Sequence, residues 1–422
     1  MSGDYSRKRF NPEKHYQGVL RQQGRVDLDA DWNEYVDLQD RRWRAETIDV
    51  VGRSGVPDET PDGFKIAVSG GELTVGQGRM YVDGYVAENH GTAPAFEPTL
   101  EEGYGTAALP VKNQPYGGPV TVPAQVRSLV YLDVWRREVT HLQAPDLIEP
   151  AVNVDSTTRH QTAWQVRVLA NIPPDITCDT PLSDIPGWPT GNRSSSARLT
   201  TTTVAVTTEP DPCLVPPTGG YRGLENHLYR VEVHSATTTT AKVKWSRENA
   251  HVATSLLEIL AGRTTVRVES LGRDDVLRIK TGDWVELTSD QREFAGLPGE
   301  MRKVTVDDAN QTLTFSPALP AADFPQGVVD AAKHVRVIRW DQSGIVRKPD
   351  GSQLINLDLT SDGLIELSAA NPSFVLELGV QATLTLLAGG KAHSGDYLCF
   401  AARTADADIE RLNQAPPLGI HH

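Results

Sequence analysis

The sequence predicts a mainly β protein with an N-terminal extended arm and α-helix, a β-sandwich-like core from non-contiguous strands, and an inserted small β-barrel. The 422 residues include 35 Gly and 28 Pro, which favour short strands joined by turns over long helices. Many segments alternate apolar and polar residues between turn residues, as half-buried strands do. Helical apolar spacing is convincing in one segment, near the N-terminus.

Residues 4–20 are polar and irregular, and we interpret them as an extended arm. They carry three scattered aromatic residues, Tyr5, Phe10 and Tyr16. Aromatic side chains anchor many protein interfaces because they bury a large area. We therefore predict that the arm contributes to an assembly contact.

The helix is predicted from an apolar stripe that recurs every three or four residues. The apolar members of the stripe are Trp32, Val36, Trp43 and Val50. An isolated helix of about 20 residues is marginal in water, so the stripe needs a surface to pack on. That surface is either the chain's own β domain or a partner protein. Two tryptophans on one stripe favour a partner.

Signals at both ends define the predicted helix. Asp31 followed by Glu34 resembles a capping box at the start, and Gly52 is a natural stop. The face opposite the stripe carries both signs of charge, which we expect to set the register with a neighbouring copy or another subunit. Its charged residues are Asp37, Asp40, Arg41, Arg44 and Glu46.

Short strands follow the helix, and the first three are predicted at residues 64–68, 72–75 and 79–86. Two stronger strands, residues 129–135 and 162–169, show long alternation. We expect these two to be neighbours in one sheet.

Residues 263–338 are predicted to form the inserted barrel, with four turn-bounded strands. Its ends lie close in sequence to Trp245 and Trp340, as expected for an insertion between two strands of a larger sheet. Residues 1–56 are assigned to the arm and helix, and residues 57–262 and 339–422 to the β-sandwich-like core.

Composition excludes some classes of protein. The net charge of -14 and a pI near 5.3 argue against a general nucleic-acid binder. The N-terminus lacks the apolar core of a secretory signal, and no window of about 18 apolar residues occurs, so no membrane insertion is predicted. We expect synthesis in the cytoplasm.

Three cysteines are too few for a disulfide scaffold and lack metal-ligand spacing, so we expect free thiols. A Cys178–Cys213 disulfide is the alternative, because both residues lie in Pro-rich loops. The terminal His421-His422 pair is either native sequence or the remnant of a tag.

Two polar clusters at strand ends are the groups most like an active site. They are Glu225-Asn226-His227 and Ser246-Arg247-Glu248-Asn249. Such clusters more often satisfy buried backbone groups than perform catalysis, so we interpret both as structural.

No cofactor or metal is predicted. Asp27, Asp29 and Asp31 match the first ligand positions of a calcium loop, but Trp32 replaces its glycine and Leu38 its closing acid. Helix capping is therefore favoured over a calcium ion. Nucleophile-elbow, zincin and Cys-x-x-Cys motifs are absent from the sequence, and we predict a protein that is not an enzyme. A carboxylate pair for glycoside hydrolysis stays open, because only geometry identifies one.

Five segments carry a resemblance to a known family. They are Met1-Ser-Gly-Asp-Tyr-Ser-Arg7, residues 18–34, Tyr131-Leu-Asp-Val-Trp135, residues 221–234 and Trp245-Ser-Arg-Glu-Asn249. The chain resembles an uncharacterised bacterial domain family whose members occur beside phage-tail-like contractile injection systems and in proteins with fibre modules. The resemblance extends to about Arg403 and brings no catalytic residues with it.

The resemblance implies a structural component of a contractile injection particle, in the baseplate or in a shell around the spike. The implied partners are other particle subunits, including copies of this chain in a symmetric ring, and the implied location is a particle assembled in the cytoplasm. Tyr5, Phe10, Tyr16, Trp32, Val36 and Trp43 are the candidate interface residues. The alternatives are a cell-surface or polysaccharide-binding accessory protein with fibre-like modules, and a glycoside hydrolase or lyase.

Overall fold

Strands far outnumber helices in the computed structural model, which confirms the mainly β class. The structure describes residues 3–69, 72–92, 107–116, 118, 120, 123, 125–188, 195–203, 220–388 and 390–418. Cys213 and the terminal histidine pair lie outside these ranges. Cys178 and Cys399 are free thiols, the first exposed and the second buried.

The helix α1 spans Asp29–Val51 and begins before the predicted capping box. Its N-cap is Leu28, which makes no side-chain capping hydrogen bond, so the capping box at Asp31 is wrong. The reason lies in the arm: Ser6 donates two hydrogen bonds to the Asp29 carboxylate, at 2.8 and 2.6 Å, and holds it in the first turn. Gly52 ends the helix as predicted, with a φ of 92°.

Small sheets then surround a long β-hairpin. The strands are β1 (Ser54–Gly55), β2 (Ile66–Ser69), β3 (Glu72–Val75), β4 (Gly78–Val82), β5 (Tyr85–Asn89), β6 (Leu109–Pro110), β7 (Ser128–Val139), β8 (Ile148–Glu149), β9 (Val154–Asp155) and β10 (Arg159–Ala170). β7 and β10 pair antiparallel along their whole length, which confirms the predicted neighbours. Trp164 and Val134 of this hairpin pack against Phe64, Val75 and Ala87.

The next three strands begin a β-sandwich that is completed only near the C-terminus. They are β11 (Ala197–Thr203), β12 (His227–Ala236) and β13 (Thr240–Ser246). β12 and β13 pair antiparallel, and every residue from His227 to His234 is buried.

A nearly closed barrel-like sheet follows. Its elements are β14 (Ala253–Ile259), β15 (Thr265–Val268), β16 (Trp284–Thr288), α2 (Asp290–Phe294), β17 (Glu300–Lys303), β18 (Thr305–Asp307), β19 (Thr312–Thr314), β20 (Gly327–Val328) and β21 (Arg336–Trp340). The strand order is β17-β16-β21-β14-β15-β19-β18. β14, which precedes residue 263, belongs to this sheet because it pairs with both β15 and β21.

The remaining strands complete the sandwich. They are β22 (Ile345–Arg347), β23 (Gln353–Asn356), β24 (Ile365–Ser368), β25 (Ser373–Val375), β26 (Val380–Leu386), β27 (Tyr397–Arg403) and β28 (Asp408–Ile409). One sheet has the order β24-β13-β12-β27-β28 and the other β11-β26-β25-β22-β23. Apolar side chains of both sheets share one core, which includes Tyr229, Phe374 and Phe400. The sandwich is therefore assembled from non-contiguous strands around the inserted barrel.

Candidate functional site

The outer surface of α1 presents large apolar side chains to solvent. Trp32 is 61% exposed, Trp43 67% and Val50 80%. Tyr35 lies beside Trp32, with ring centroids 6.1 Å apart. We call Trp32, Tyr35, Trp43 and Val50 the α1 aromatic face. Single exposed apolar residues are normal, but several together on one helix face are typical of an interaction surface.

Two charged side chains of α1 bind to the chain's own β domain, and the buried residues of the helix are Ala30 and Leu38. Asp40 forms an ion pair of 2.6 Å with Arg136 of β7. Arg44 donates a 3.0 Å hydrogen bond to the Tyr85 hydroxyl, and its guanidinium lies 4.2 Å from the centroid of that ring. Gly84 permits this approach, because a Cβ there would lie 2.7 Å from the Arg44 carbonyl oxygen. Asp40 and Arg44 therefore act within the chain, contrary to the expected contact with a neighbour.

The N-terminal arm is anchored on the same β domain. The Tyr5 hydroxyl hydrogen-bonds with Glu138 and, at 2.6 Å, with Thr158. Burial and the neighbouring Glu138 carboxylate raise the pKa of Tyr5. The Gly3 amide donates a 2.6 Å hydrogen bond to Glu138, and Tyr5 packs against the patch formed by Leu228, Cys399 and Ala401. Tyr5 thus holds the arm in place.

The other predicted interface residues occupy different environments. Phe10 and Val36 are half-buried, whereas Tyr16 is 56% exposed, with the Lys14 ammonium 5.8 Å from its ring centroid. Trp32 and Trp43 are therefore the predicted interface residues that the fold leaves most accessible on the helix.

The two predicted polar clusters meet at one place, which we call the strand-end junction: His227, Glu248, Asn249 and the main chain of Gly3 and Leu228. His227 Nδ1 lies 2.7 Å from Glu248 Oε1. The Asn249 amide donates to the Leu228 carbonyl at 2.9 Å. The Asn249 side chain donates to the Gly3 carbonyl, also at 2.9 Å. The junction thus ties the arm to the sandwich.

Ser246 and Arg247 extend the same network. The Ser246 hydroxyl donates to Asp341 at 3.0 Å, and the Arg247 guanidinium donates two hydrogen bonds to Glu377, at 2.9 and 2.6 Å. These contacts support a structural role for the cluster, which stays a prediction.

Glu225 and Asn226 contribute at the turn before β12. The Glu225 carbonyl accepts a 2.8 Å hydrogen bond from the Tyr221 hydroxyl. The Asn226 side chain accepts one of 3.0 Å from the Thr404 amide. Both contacts satisfy local polar groups, as expected for residues that hold a turn.

The calcium-like triplet is divided among separate partners. Asp27 contacts Arg21, which follows the arm, whereas Asp29 and Asp31 contact Ser6 and Arg9 of the arm. Their carboxylates therefore secure the arm and the start of α1 individually.

A buried charge network joins the sandwich to the barrel. Lys244 of β13 is 2% exposed; its ammonium contacts Glu286 of β16 and lies 3.1 Å from Glu232 of β12. Arg230 pairs with the same Glu232. Trp340 of β21 donates a 3.1 Å hydrogen bond to Glu286. Buried charges persist only when paired in this way.

The network shifts the ionisation of its carboxyl groups. Burial opposes ionisation, but Lys244 and Arg230 outweigh it and lower the pKa of Glu232 to about 2. Lys244 likewise lowers the pKa of Glu286 against the effect of burial. The network was not predicted from the sequence. The sequence feature that relates to the network is the alternation of charged and apolar residues in β12. The same alternation is also typical of a strand with one exposed face.

Comparison with known proteins gives one match. A model described as a family of unknown function (DUF6519) matches residues 1–183 and 192–414. No curated protein and no solved structure matches the chain. Among the helices of the described ranges, none has the length and apolar content needed to cross a membrane.

Proposed function

We propose a structural role for this chain, which belongs to the DUF6519 family of unknown function. The chain is a structural subunit of a phage-tail-like contractile injection particle. Its place is the baseplate or a shell around the spike. The resemblance of its sequence motifs supports this setting. The α1 aromatic face is the observation that carries the assembly role.

The anchoring of α1 makes this face a prepared docking surface. Asp40 and Arg44 fix the helix on the β domain, and Trp32 and Trp43 stay exposed to solvent. Binding to a face that is already ordered costs little conformational entropy. Exposed tryptophans are also the residues most often found at interface hot spots.

The proposed occupant of the α1 aromatic face is a neighbouring subunit of the particle. In a symmetric ring every copy presents the same face, so modest contacts add through multivalency. The face thus suits a protein that is monomeric before assembly and stable within the particle.

Removing the two tryptophans of the α1 aromatic face is expected to weaken assembly strongly and leave the fold intact. Trp32→Ser combined with Trp43→Ser should reduce incorporation into sedimented particles by roughly tenfold or more, since a hot-spot tryptophan contributes about 2 kcal/mol or more. The Tm should change little, because both side chains are exposed. The measurement is the ratio of this chain to sheath protein in purified particles.

The matched control removes exposed apolar side chains elsewhere. Leu224 and Leu359 are 97% and 83% exposed, and Leu224→Ser with Leu359→Ser should incorporate normally. Equal incorporation of both double variants would reject the assembly role of α1. Truncation of residues 1–52 tests the assembly role less specifically than the double variant. It removes the α1 aromatic face together with the contacts that Gly3 and Tyr5 make with the β domain.

A cleft favours polysaccharide binding as a second function. It has a volume of about 880 Å³ and lies between the arm, the 140–158 segment and the barrel. Trp32, Asp155 and Glu269 are among its lining residues, and a concave site with aromatic and polar groups of this size suits a small ligand. Glycan-array binding that is lost in Trp32→Ser would support this function, and turnover of a bound glycan would indicate a hydrolase or lyase.

A further inference from the structure

Three metal-ligating side chains from separate segments converge beside the strand-end junction. They are Asp4 of the arm, Glu248 after β13, and His251 before β14. One donor atom from each lies within 4.8 Å of the other two. This donor set combines an imidazole with two carboxylates, which suits a divalent transition-metal ion such as Zn²⁺.

The hydrogen bond of His251 leaves its Nε2 available to a metal. Its Nδ1 lies 2.8 Å from the Glu248 carbonyl oxygen. A carbonyl oxygen only accepts hydrogen bonds, so Nδ1 carries the proton and Nε2 keeps its lone pair. Histidines that bind metals through one nitrogen commonly donate the other N–H to a carbonyl in this manner.

Glu248 is oriented by a second histidine. His227 Nδ1 contacts its Oε1 at 2.7 Å, and the His227 side chain is 8% exposed. This contact fixes one oxygen of the carboxylate, leaving Oε2 for a ligand bond. Such an outer contact is typical of carboxylates that ligate metals.

Asp4 supplies the exposed ligand. It is exposed on the arm, and within the described ranges no hydrogen bond or ion pair to its carboxylate is present. Zinc bonds of ~2.0–2.2 Å bring ligand atoms to within about 3–4 Å of one another. Because the Asp4 side chain is exposed, it can rotate towards the other two ligands. Asp4 and His251 also line the large cleft, which gives an ion an entry path.

We infer that Asp4, Glu248 and His251 form a binding site for a divalent transition-metal ion that fastens the N-terminal arm to the sandwich. The arm is already attached at Gly3 and Tyr5, on either side of Asp4. The metal adds a bond between these two anchors and so limits opening of the arm. Water molecules from the cleft complete the coordination.

Zn²⁺ binding by the full chain tests this site. The background carries His421→Ser and His422→Ser, which remove the terminal histidine pair as a competing zinc ligand. Calorimetry should give about one Zn²⁺ per chain, and saturating Zn²⁺ should raise Tm by roughly 2–5 °C.

Two variants remove one ligand each. His251→Asn keeps a side-chain donor for the Glu248 carbonyl but lacks the Nε2 ligand atom. Asp4→Asn removes the negative charge of the exposed ligand. Each should weaken Zn²⁺ binding by roughly tenfold or more. Asp58→Asn is the control, because Asp58 is an exposed acid in a turn outside the site. Unchanged affinity in both ligand variants, or no binding by the parent chain, would refute the site.

Proteolysis of the arm gives a second readout. Trypsin cleaves after Arg7, Lys8 and Arg9, which lie shortly after Asp4 in the sequence. Zn²⁺ should slow this cleavage in the parent chain and in Asp58→Asn, and should have no effect in Asp4→Asn. Equal protection of Asp4→Asn would show that Asp4 does not connect the arm to the metal.

Discussion

Replacing Lys244 by methionine is expected to lower the free energy of unfolding by about 3–5 kcal/mol. The Lys244 ammonium is the cation that Glu232 and Glu286 share in the interior. Methionine fills a similar volume but leaves the Glu286 carboxylate with hydrogen bonds from Trp340 and Gly299 and without its cation. Chemical denaturation at pH 7 measures the change.

Two further variants separate the buried charge from loss of packing. Lys280 is exposed, so Lys280→Met should alter stability by no more than about 0.5 kcal/mol. Lys244→Met combined with Glu286→Gln should recover part of the loss, because the buried anion is removed together with its cation. If Lys244→Met is as stable as Lys280→Met, the network does not hold the sandwich to the barrel.

Acidification from pH 7 to 4.5 is expected to remove about 2–3 kcal/mol of stability through His234 alone. Burial, assisted by the nearby Lys244, lowers the pKa of His234 from 6.5 to about 4. Between these values the unfolded chain binds a proton that the folded chain does not bind. Stability therefore falls as the pH falls through this window, and is fully present above pH 6.5.

The difference between the parent chain and His234→Gln isolates this effect. Glutamine stays neutral, so the variant should lose less stability between pH 7 and 4.5, while contributions from other shifted groups cancel in the comparison. Glu232 contributes at lower pH, because its stabilising charge is lost only as the pH falls from 4.5 towards about 2. Parallel pH profiles of the two proteins would contradict the assignment.

The strands were predictable where the sequence alternates without interruption. β7 and β10 extend over twelve residues each, and their alternation and proximity in sequence indicated their pairing. The start of α1 was not predictable in the same way. The hydrogen bonds that fix its first turn come from Ser6, 23 positions before Asp29. A local sequence pattern does not predict a contact between residues so far apart.

The orientation of α1 and the long-range contacts could not be predicted from the sequence for a related reason. The apolar stripe of α1 predicts a helix, but which side docks depends on Arg136 and Tyr85, which are distant in the chain. In β12, Arg230 and Glu232 are two residues apart, as are charged residues on the solvent-exposed face of a strand. Both are buried in the fold: the Arg230 guanidinium lies 3.6 Å from the centroid of the Tyr397 ring, and Lys244 connects Glu232 to Glu286 of the inserted barrel.

The two polar clusters were predictable in part. Their composition indicated groups that satisfy buried polar atoms, and the structure brings His227 and Glu248 together. Their closeness to Asp4 depends on the path of the arm, which contains no periodic pattern. The candidate metal ligands were therefore visible only after the arm had been placed on the sandwich.

Co-purification with sheathed particles is the most direct test of the proposed structural role. Particles are purified from cells that produce both this chain and a contractile sheath, and their subunits are quantified by mass spectrometry. We expect the chain in repeated copies per particle, at a fixed ratio to the baseplate proteins. Particles that lack the chain, while it remains free in the same cells, would contradict the account.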